Sequence, residues 1–173
     1  MQYYSGFSFE NEQDLFTHYL DSSAFVIAGF SYGAIRAFEA VQHALKHGQR
    51  VDRLILLSPA FFQNKPQKFK RLQLMGYQRA QEHYIQEFRK LCFAPYTQKN
   101  IPIAQTSYEA LQTLLFYQWD DTEVQKVRDA GVIIEVYFGS QDAIVDADVA
   151  YSFFQKSSIV TMVHNANHCL LKE

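Results

Sequence analysis

A serine between two glycines, where an apolar run passes into a helix-forming stretch, constrains this chain more than any other feature. Residues 26–34 read Val-Ile-Ala-Gly-Phe-Ser-Tyr-Gly-Ala, so Ser31 centres a G-x-S-x-G motif between an expected strand and an expected helix. A turn of this kind is sharp and strained, and a Cβ two residues to either side would strike the adjoining backbone. Gly29 and Gly33 avoid that clash, and we predict that Ser31 is a nucleophile. The alternative is a tight turn that contains Gly and Ser without chemistry.

Apolar runs and amphipathic segments alternate along the chain. The patterns predict strands over 2–4, 24–29, 53–59, 132–138 and 159–163. They predict helices over 12–21, 32–47, 68–92 with a break near Gly76, 107–119, 121–129 and 146–155. Strands that alternate with helices form parallel sheets with helical crossovers. We therefore expect an α/β fold with a reduced, mostly parallel sheet of about five strands.

The segment of residues 60–119 differs from the rest because it contains no convincing strand. It is rich in Gln, Phe, Tyr, Lys and Arg, and it is too short to build a good core of its own. We expect it to be a helical cap insertion over the carboxyl edge of the sheet, within a single domain that spans residues 1–173.

Two further residues with catalytic chemistry follow the last two predicted strands. Asp142 comes after the fourth strand and His168 after the fifth, and open α/β sheets build their sites just past the carboxyl ends of their strands. A serine hydroxyl needs a base within hydrogen-bond reach, and that base needs a carboxylate to fix its tautomer. We predict that Ser31, His168 and Asp142 are the nucleophile, the base and the acid.

Other acidic residues compete with Asp142. Asp146 and Asp148 lie at the start of a predicted helix, where they are explained as an N-cap and a first-turn acid. Asp120 and Asp121 precede another helix and have the same explanation. Asp142 therefore remains the predicted acid.

The predicted base also has rivals. His164 lies at or inside the last strand, whereas His168 lies beyond it. Cys169 follows His168 directly, but adjacent side chains on an extended segment point to opposite faces, so we expect this cysteine inside the protein. The remaining histidines lie on helices or at helix ends and are expected to be surface or half-buried residues: His18, His43, His47 and His83.

An oxyanion hole requires two backbone N–H groups aimed at the tetrahedral oxygen. Tyr32 supplies one candidate because it directly follows the serine, at the positive end of the helix dipole. The second should come from the loop after the first strand, where Gly6 lets the main chain approach closely. We predict that the N–H of Phe7 is that second donor.

These motifs together resemble the α/β-hydrolases that carry a helical cap. Gly6-Phe7 stands in place of the family's oxyanion loop, residues 29–33 match its elbow, and Asp142 and His168 match its acid and base. Two departures matter. Ser5 replaces the usual His of the oxyanion loop, and only one helix fits between that loop and the elbow, where the family has a further strand and helix.

The compact form is similar to the short BioV-type pimeloyl-acyl-carrier-protein methyl ester esterases of biotin synthesis. The likeness rests on size, on the opening aromatic strand with Ser-Gly-Phe, and on Phe-Lys-Arg-Leu-Gln-Leu at residues 69–74. It implies a serine carboxylesterase that hydrolyses the methyl ester of pimeloyl-acyl carrier protein to methanol and the free acid. A generalist short-acyl esterase or thioesterase is the alternative, and a hydrolase-like binding protein without chemistry is a third.

Charge is distributed unevenly along the chain. Residues 65–99 hold eight basic residues against two acidic ones, whereas residues 1–24 hold four acidic residues and no Lys or Arg. Such asymmetry is typical of a surface that binds an acidic partner. The resemblance implies that this partner is an acidic acyl carrier protein with a phosphopantetheine arm. The alternative is a solvated helix face. The predicted partner-binding residues are Lys68, Arg71, Arg79 and Arg89.

Composition excludes several other classes of protein. Hydrophobic residues make up 48% and aromatic residues 16% of the chain, which excludes disorder, and no apolar run reaches the ~18 residues of a membrane span. Cys92 and Cys169 do not form a disulfide framework, and no signal peptide is apparent, so we expect a cytoplasmic protein. The scattered His and Cys predict no metal and no cofactor. The net charge of −2 and the lack of a groove-reading motif argue against nucleic acid.

Overall fold

Five parallel strands form the centre of the protein in a computed structural model that describes residues 1–172; residue 173, the last of the predicted domain, lies outside the described residues. Their spatial order follows the chain, and every neighbouring pair is parallel. The strands are β1 Gln2–Tyr4, β2 Val26–Phe30, β3 Arg53–Leu57, β4 Ile133–Gly139 and β5 Ile159–Val163. The predicted parallel sheet of about five strands is confirmed.

Six α-helices surround this sheet within the described residues. They are α1 Tyr32–Lys46, α2 Gln67–Arg79, α3 Gln81–Phe93, α4 Tyr108–Phe116, α5 Asp121–Asp129 and α6 Ala147–Phe154. All of β2 is buried, because helices and loops cover both faces of the sheet there. A central parallel strand therefore appears in the sequence as a continuous apolar run rather than an alternating one.

Two predicted helices differ from the observed ones. The segment 12–21 forms only a 3₁₀ helix, Glu12–Phe16, after which the N–H groups of Tyr19 and Leu20 both turn back onto the Phe16 carbonyl. The break within 68–92 falls at Ala80 rather than at Gly76. Gly76 lies inside α2 and faces the Tyr84 ring of α3, which a Cβ at this position would meet at an ordinary contact distance of 3.5 Å.

Aromatic side chains join the helices to the sheet. The indole N–H of Trp119 donates to the Ala60 carbonyl at 2.8 Å, and its ring packs against Phe38 and Phe154 at 5.3 and 5.0 Å. Buried rings contribute large apolar areas, which explains how a short chain stabilises its core. Among residues 1–172, no helix combines the length and apolar character needed to cross a membrane.

Helices α2 and α3 of the cap insertion contact the loops that follow the strands. In the loop after β1, the Phe7 ring packs edge-on against Phe88 of α3, with centroids 5.7 Å apart, and lies 6.1 Å from the Tyr77 ring of α2. The Phe93 carbonyl accepts a hydrogen bond from the side chain of Asn167 in the loop after β5. These contacts put the two helices above the carboxyl ends of the strands.

Candidate active site

Ser31 lies directly after β2, on the turn into α1. Its backbone has φ 53° and ψ −113°, a conformation that costs a non-glycine residue energy and persists only where the surroundings impose it. The surroundings here are main chain. A Cβ on Gly29 would strike the Gly33 carbonyl, and a Cβ on Gly33 would strike that of Tyr4. The predicted need for glycine on both sides of the serine is confirmed.

Ser31, His168 and Asp142 form a single hydrogen-bonded row. The Ser31 Oγ lies 3.0 Å from Nε2 of His168, and Nδ1 of the same ring lies 2.6 Å from Oδ2 of Asp142. Ser31 is 2% exposed, and the other two side chains are fully buried. The structure therefore brings together the three residues predicted as nucleophile, base and acid. This arrangement can remove the serine proton and stabilise the resulting imidazolium.

The carboxylate of Asp142 divides its two oxygens between different tasks. Oδ1 accepts the main-chain N–H groups of Ile144 and Val145 at 2.7 and 3.0 Å. Oδ2 faces His168, and since an ionised carboxylate can only accept, the ring proton resides on Nδ1. The Nε2 atom is then the basic nitrogen that faces Ser31.

The loops that carry the acid and the base are packed against each other. Gly139 lies so close to the main chain of Ala166 and Asn167 that a Cβ would strike their carbonyls. The Asn167 side chain donates to the Phe93 carbonyl at 2.7 Å and accepts from the Leu171 N–H at 3.1 Å. Asn167 thus links the base loop to α3, a positioning contact that the sequence analysis did not predict.

The competing acids have the structural roles predicted for them. Asp146 caps α6 by accepting the Val149 N–H, and Asp120 caps α5 by accepting that of Thr122. Asp121 lies in the first turn of α5, where it accepts a hydrogen bond from Ser157.

The competing base and thiol are also accounted for. His164 is exposed beyond β5, whereas Cys169 is buried as predicted. Burial raises the pKa of the Cys169 and Cys92 thiols well above the usual range. A thiol must ionise to act as a nucleophile, so neither cysteine competes with Ser31.

The two predicted oxyanion donors come from different segments, the start of α1 and the loop after β1. Tyr32 is the first residue of α1, and within residues 1–172 neither its N–H nor that of Phe7 donates to a protein acceptor. Gly6 packs directly on Phe30, since a Cβ there would lie 2.6 Å from the ring. Both N–H groups are therefore free of protein acceptors, and their role as oxyanion donors stays a prediction. Within the same residues, no cluster of three or more His, Cys, Asp or Glu side chains could hold a metal ion.

Solved structures match this architecture, although no protein-family model and no curated protein matches the sequence. A hydrolase from Oleispira antarctica superposes with a TM-score of 0.64 at 14% identity, over 84% of this chain and 58% of that one. Carboxylesterase CesB (YbfK) from Bacillus subtilis has a TM-score of 0.55 at 17% identity, over 94% of this chain and 62% of that one. BioG from Haemophilus influenzae has a TM-score of 0.62 at 12% identity, over 97% of this chain and 87% of that one. This chain has an α/β-hydrolase fold.

The extent of these matches agrees with the reduced form of the sheet. The chain spans about three fifths of the length of the Oleispira hydrolase and of CesB, but most of the length of BioG. Within the α/β-hydrolase fold, a serine on a strand-to-helix turn with an acid and a base in the order found here is the usual catalytic arrangement.

Three of the four predicted partner-binding residues are exposed on the cap insertion of this hydrolase fold. Lys68, Arg71 and Arg79 all project from α2 into solvent. Lys70, which the same basic segment contains, is instead buried, with its ammonium group 5.2 Å from the centre of the Phe116 ring.

The prediction that Arg89 binds a partner is wrong. Its side chain is only 2% exposed and lies over the Phe9 ring, with its guanidinium 4.4 Å from the ring centre. Helical spacing could have revealed this, because Arg89 follows Ile85 by four residues and precedes Cys92 by three, on the buried stripe of α3.

An apolar cavity of about 390 Å³ lies between the cap insertion and the loop that carries the acid. Ala143 and Ile144, which directly follow Asp142, form part of its wall. The other lining residues are mostly aromatic or aliphatic and come from α2, α3, α4 and the segment before α2, among them Phe62, Phe88 and Leu114. A larger, more polar cleft of about 690 Å³ lies beside α1 and the first strands. Ser31, Asp142 and His168 line neither space, but Ala143 and Ile144 bring the apolar cavity next to the acid in the chain.

Proposed function

We propose that this protein is a serine esterase that acts through an acyl-enzyme intermediate. The observation that carries the proposal is the hydrogen-bonded row of Ser31, His168 and Asp142, buried on a strained turn at the carboxyl edge of the sheet. A binding protein without chemistry would not need a nucleophile, a base and an acid at hydrogen-bonding distances, which argues against that alternative.

The proposed reaction has two halves. The Ser31 Oγ attacks the ester carbonyl while Nε2 of His168 accepts its proton, and the oxyanion receives hydrogen bonds from the Phe7 and Tyr32 N–H groups. The imidazolium then protonates the departing alkoxide, which leaves as the alcohol. In the second half His168 takes a proton from water, the resulting hydroxide attacks the acyl-serine, and the proton returns to Ser31 as the free acid departs.

The proposed substrate is the methyl ester of pimeloyl-acyl carrier protein, so that the alcohol released is methanol. The resemblance of the sequence to short esterases of this kind supports the choice, and the apolar cavity beside Ala143 and Ile144 has the lining that an aliphatic acyl chain requires. The proposal includes a cytoplasmic location, for which the two free cysteines are the support.

The proposed docking surface for the carrier protein is the outer face of α2, formed by Lys68, Arg71 and Arg79. Leu72 and Met75 lie among these bases and are 54% and 62% exposed. The buried residues of α2, Lys70, Leu74 and Tyr77, are on the opposite side of the helix. A basic face with apolar side chains between the charges suits an acidic partner that also presents an apolar contact.

A generalist esterase for short acyl chains is the second candidate, because the fold is shared with a carboxylesterase and the cavity lining is mostly apolar. The two candidates separate when the specificity constant for a carrier-bound methyl ester, followed by mass spectrometry, is compared with that for free methyl butyrate. We expect the carrier-bound ester to be strongly preferred. Equal constants would exclude carrier specificity, and a wild-type protein that neither cleaves an ester nor reacts with a fluorophosphonate probe would exclude esterase activity.

Reversing the charges of the docking surface should slow only the carrier-bound reaction. The triple substitution Lys68→Glu, Arg71→Glu, Arg79→Glu is expected to lower its kcat/KM by about 10- to 100-fold, since complementary charge accelerates encounter. Hydrolysis of methyl butyrate should change by less than about twofold, because rim charges act on association rather than on the chemical step. The wild-type carrier reaction should also slow as salt rises.

A control with the same change in net charge is available elsewhere on the surface. Lys46, Lys126 and Lys156 are exposed and lie outside the cap insertion, so their reversal to Glu should leave both reactions nearly unchanged. If the α2 variant loses both activities equally, its bases support the fold; if it loses neither, the docking surface is a solvated face.

A further inference from the structure

Two side chains of opposite formal charge, which the proposed mechanism does not use, are buried beside the loop of residues 6–8. Glu12 is 0% exposed and Arg89 is 2% exposed. Burying such groups is costly unless hydrogen bonds compensate for the lost hydration. Each forms a hydrogen bond with the main chain at one end of this short loop and at least one more with another segment.

Glu12 holds the first end. Its Oε1 accepts the main-chain N–H of Gly6 at 2.9 Å and the hydroxyl of Tyr3 at 3.0 Å. Tyr3 is part of β1, so the carboxyl group ties the start of the loop to the sheet. The Gly6 carbonyl in turn accepts the main-chain N–H of Phe9 at 3.1 Å.

Arg89 holds the second end. Its Nη1 donates to the Ser8 carbonyl at 2.6 Å, while Nη2 donates to the Ile101 carbonyl at 2.6 Å. The planar guanidinium thus spans two separate loops in a fixed geometry that the single ammonium group of a lysine cannot reproduce. Ser8 itself has φ 65°, so its carbonyl direction depends on such external contacts.

Phe7 lies between these two anchored residues. Its own N–H donates to no protein acceptor within residues 1–172, and its ring packs on Phe88, the neighbour of Arg89 on α3. An oxyanion donor works only when it is held in place before charge develops. A displacement of about 1 Å in such a group can cost about 100-fold in rate.

We propose that Glu12 and Arg89 are positioning residues that hold the Phe7 N–H towards the oxyanion. This inference rests on the proposed esterase function. It also means that the cap insertion, through Arg89, positions part of the proposed catalytic machinery. Neither residue touches the substrate; each acts through the main chain of the loop.

The test compares kcat, KM and the inhibition constant of a trifluoromethyl ketone, whose adduct with the serine carries an oxyanion. For Arg89→Met and Glu12→Met, we expect kcat on methyl butyrate to fall about 30- to 100-fold and the inhibition constant to rise by a similar factor. KM should stay within about threefold, since the ground-state carbonyl depends little on the hole. A residue that only stabilises the fold would leave the inhibition constant unchanged. It would also leave kcat unchanged once kcat is expressed per active site, as counted by titration with a fluorophosphonate.

Conservative variants provide the rescue. Glu12→Gln retains an oxygen that accepts the Gly6 N–H and should stay within about threefold of wild-type kcat. Arg89→Lys retains the charge but cannot bridge both carbonyls, and should lose about 5- to 10-fold. Matched controls are Lys70→Met, a buried cation of the cap insertion that contacts Phe116 instead, and Glu135→Met, a carboxylate paired with Arg53; neither should change the inhibition constant.

Wild-type kcat and inhibition constants in the folded Met variants would overturn the proposal, as would equal losses in the two controls. If the Met variants do not fold, Arg89→Lys decides: an unchanged inhibition constant overturns the inference, and a rise without a matching rise in KM supports it. A wild-type protein that is inert towards esters and fluorophosphonate would instead overturn the proposed function, and the inference with it.

Discussion

Replacing Ser31 with alanine should lower kcat for ester hydrolysis by about 10⁵-fold, because the residues of a triad act as a unit and the attacking oxygen is lost. His168→Ala should cause a loss of the same order, and the double variant should be no worse than either single one. The measurement is kcat on methyl butyrate, together with covalent labelling by a fluorophosphonate probe, which Ser31→Ala should abolish.

A matched control for this prediction lies at the end of the neighbouring strand. Ser58 directly follows β3, is fully buried, has a positive φ of 41°, and its hydroxyl has no hydrogen-bond partner among the described residues. Ser58→Ala should therefore retain activity and labelling. If Ser58→Ala is inactive while Ser31→Ala still turns over, the nucleophile is misassigned.

Replacing Asp142 with asparagine should lower kcat by about 10⁴-fold while the protein remains folded, because the histidine would take the wrong tautomer. The main-chain N–H groups of Ile144 and Val145 require an oxygen at the Oδ1 position, so the asparagine NH₂ must face His168. An NH₂ group donates, and Nδ1 must then accept, which moves the ring proton to Nε2. A protonated Nε2 cannot take the proton of Ser31.

Asp146→Asn is the control for Asp142→Asn. Asp146 accepts the Val149 N–H as the N-cap of α6, and asparagine caps helices about as well as aspartate. Activity should be unchanged, and thermal unfolding should shift little. The opposite pattern, a nearly wild-type Asp142→Asn with an inactive Asp146→Asn, would show that the acid is misassigned. His164→Ala, at an exposed position, is the corresponding control for His168.

Predictions from the sequence succeeded where the signal is local. The two glycines around Ser31 are required by main-chain atoms a few residues away or on the adjacent strand, so the motif itself carries the geometry. The acids that cap α5 and α6 bond to N–H groups two or three residues away. Asp142 and His168 were identifiable because parallel strands present their carboxyl ends at one edge, whatever the details of packing.

Predictions failed where a side chain's role depends on a distant partner. Arg89 has the same formal charge as the exposed bases of α2, but it bonds to Ser8, 81 residues earlier in the chain. Lys70 also belongs to the basic segment, yet it is buried over Phe116. Charge counting alone cannot separate these residues from Lys68, because each makes the same contribution to a sum over the segment.

The sequence alone was sufficient to predict the parallel sheet, the strained serine and the three residues of the hydrogen-bonded row, because each follows from neighbours in the chain or from the rules of parallel sheets. The packing of the folded chain was needed to show which bases face solvent, where the cap helices break, and which side chains bond to the loop after β1. Those features arise when α3 packs against the loop after β1, so that Arg89 satisfies carbonyls contributed by two separate loops. Buried polar groups need hydrogen-bond partners. The carbonyl groups that accept from Arg89 lie close to it only after the cap helices have packed on the sheet.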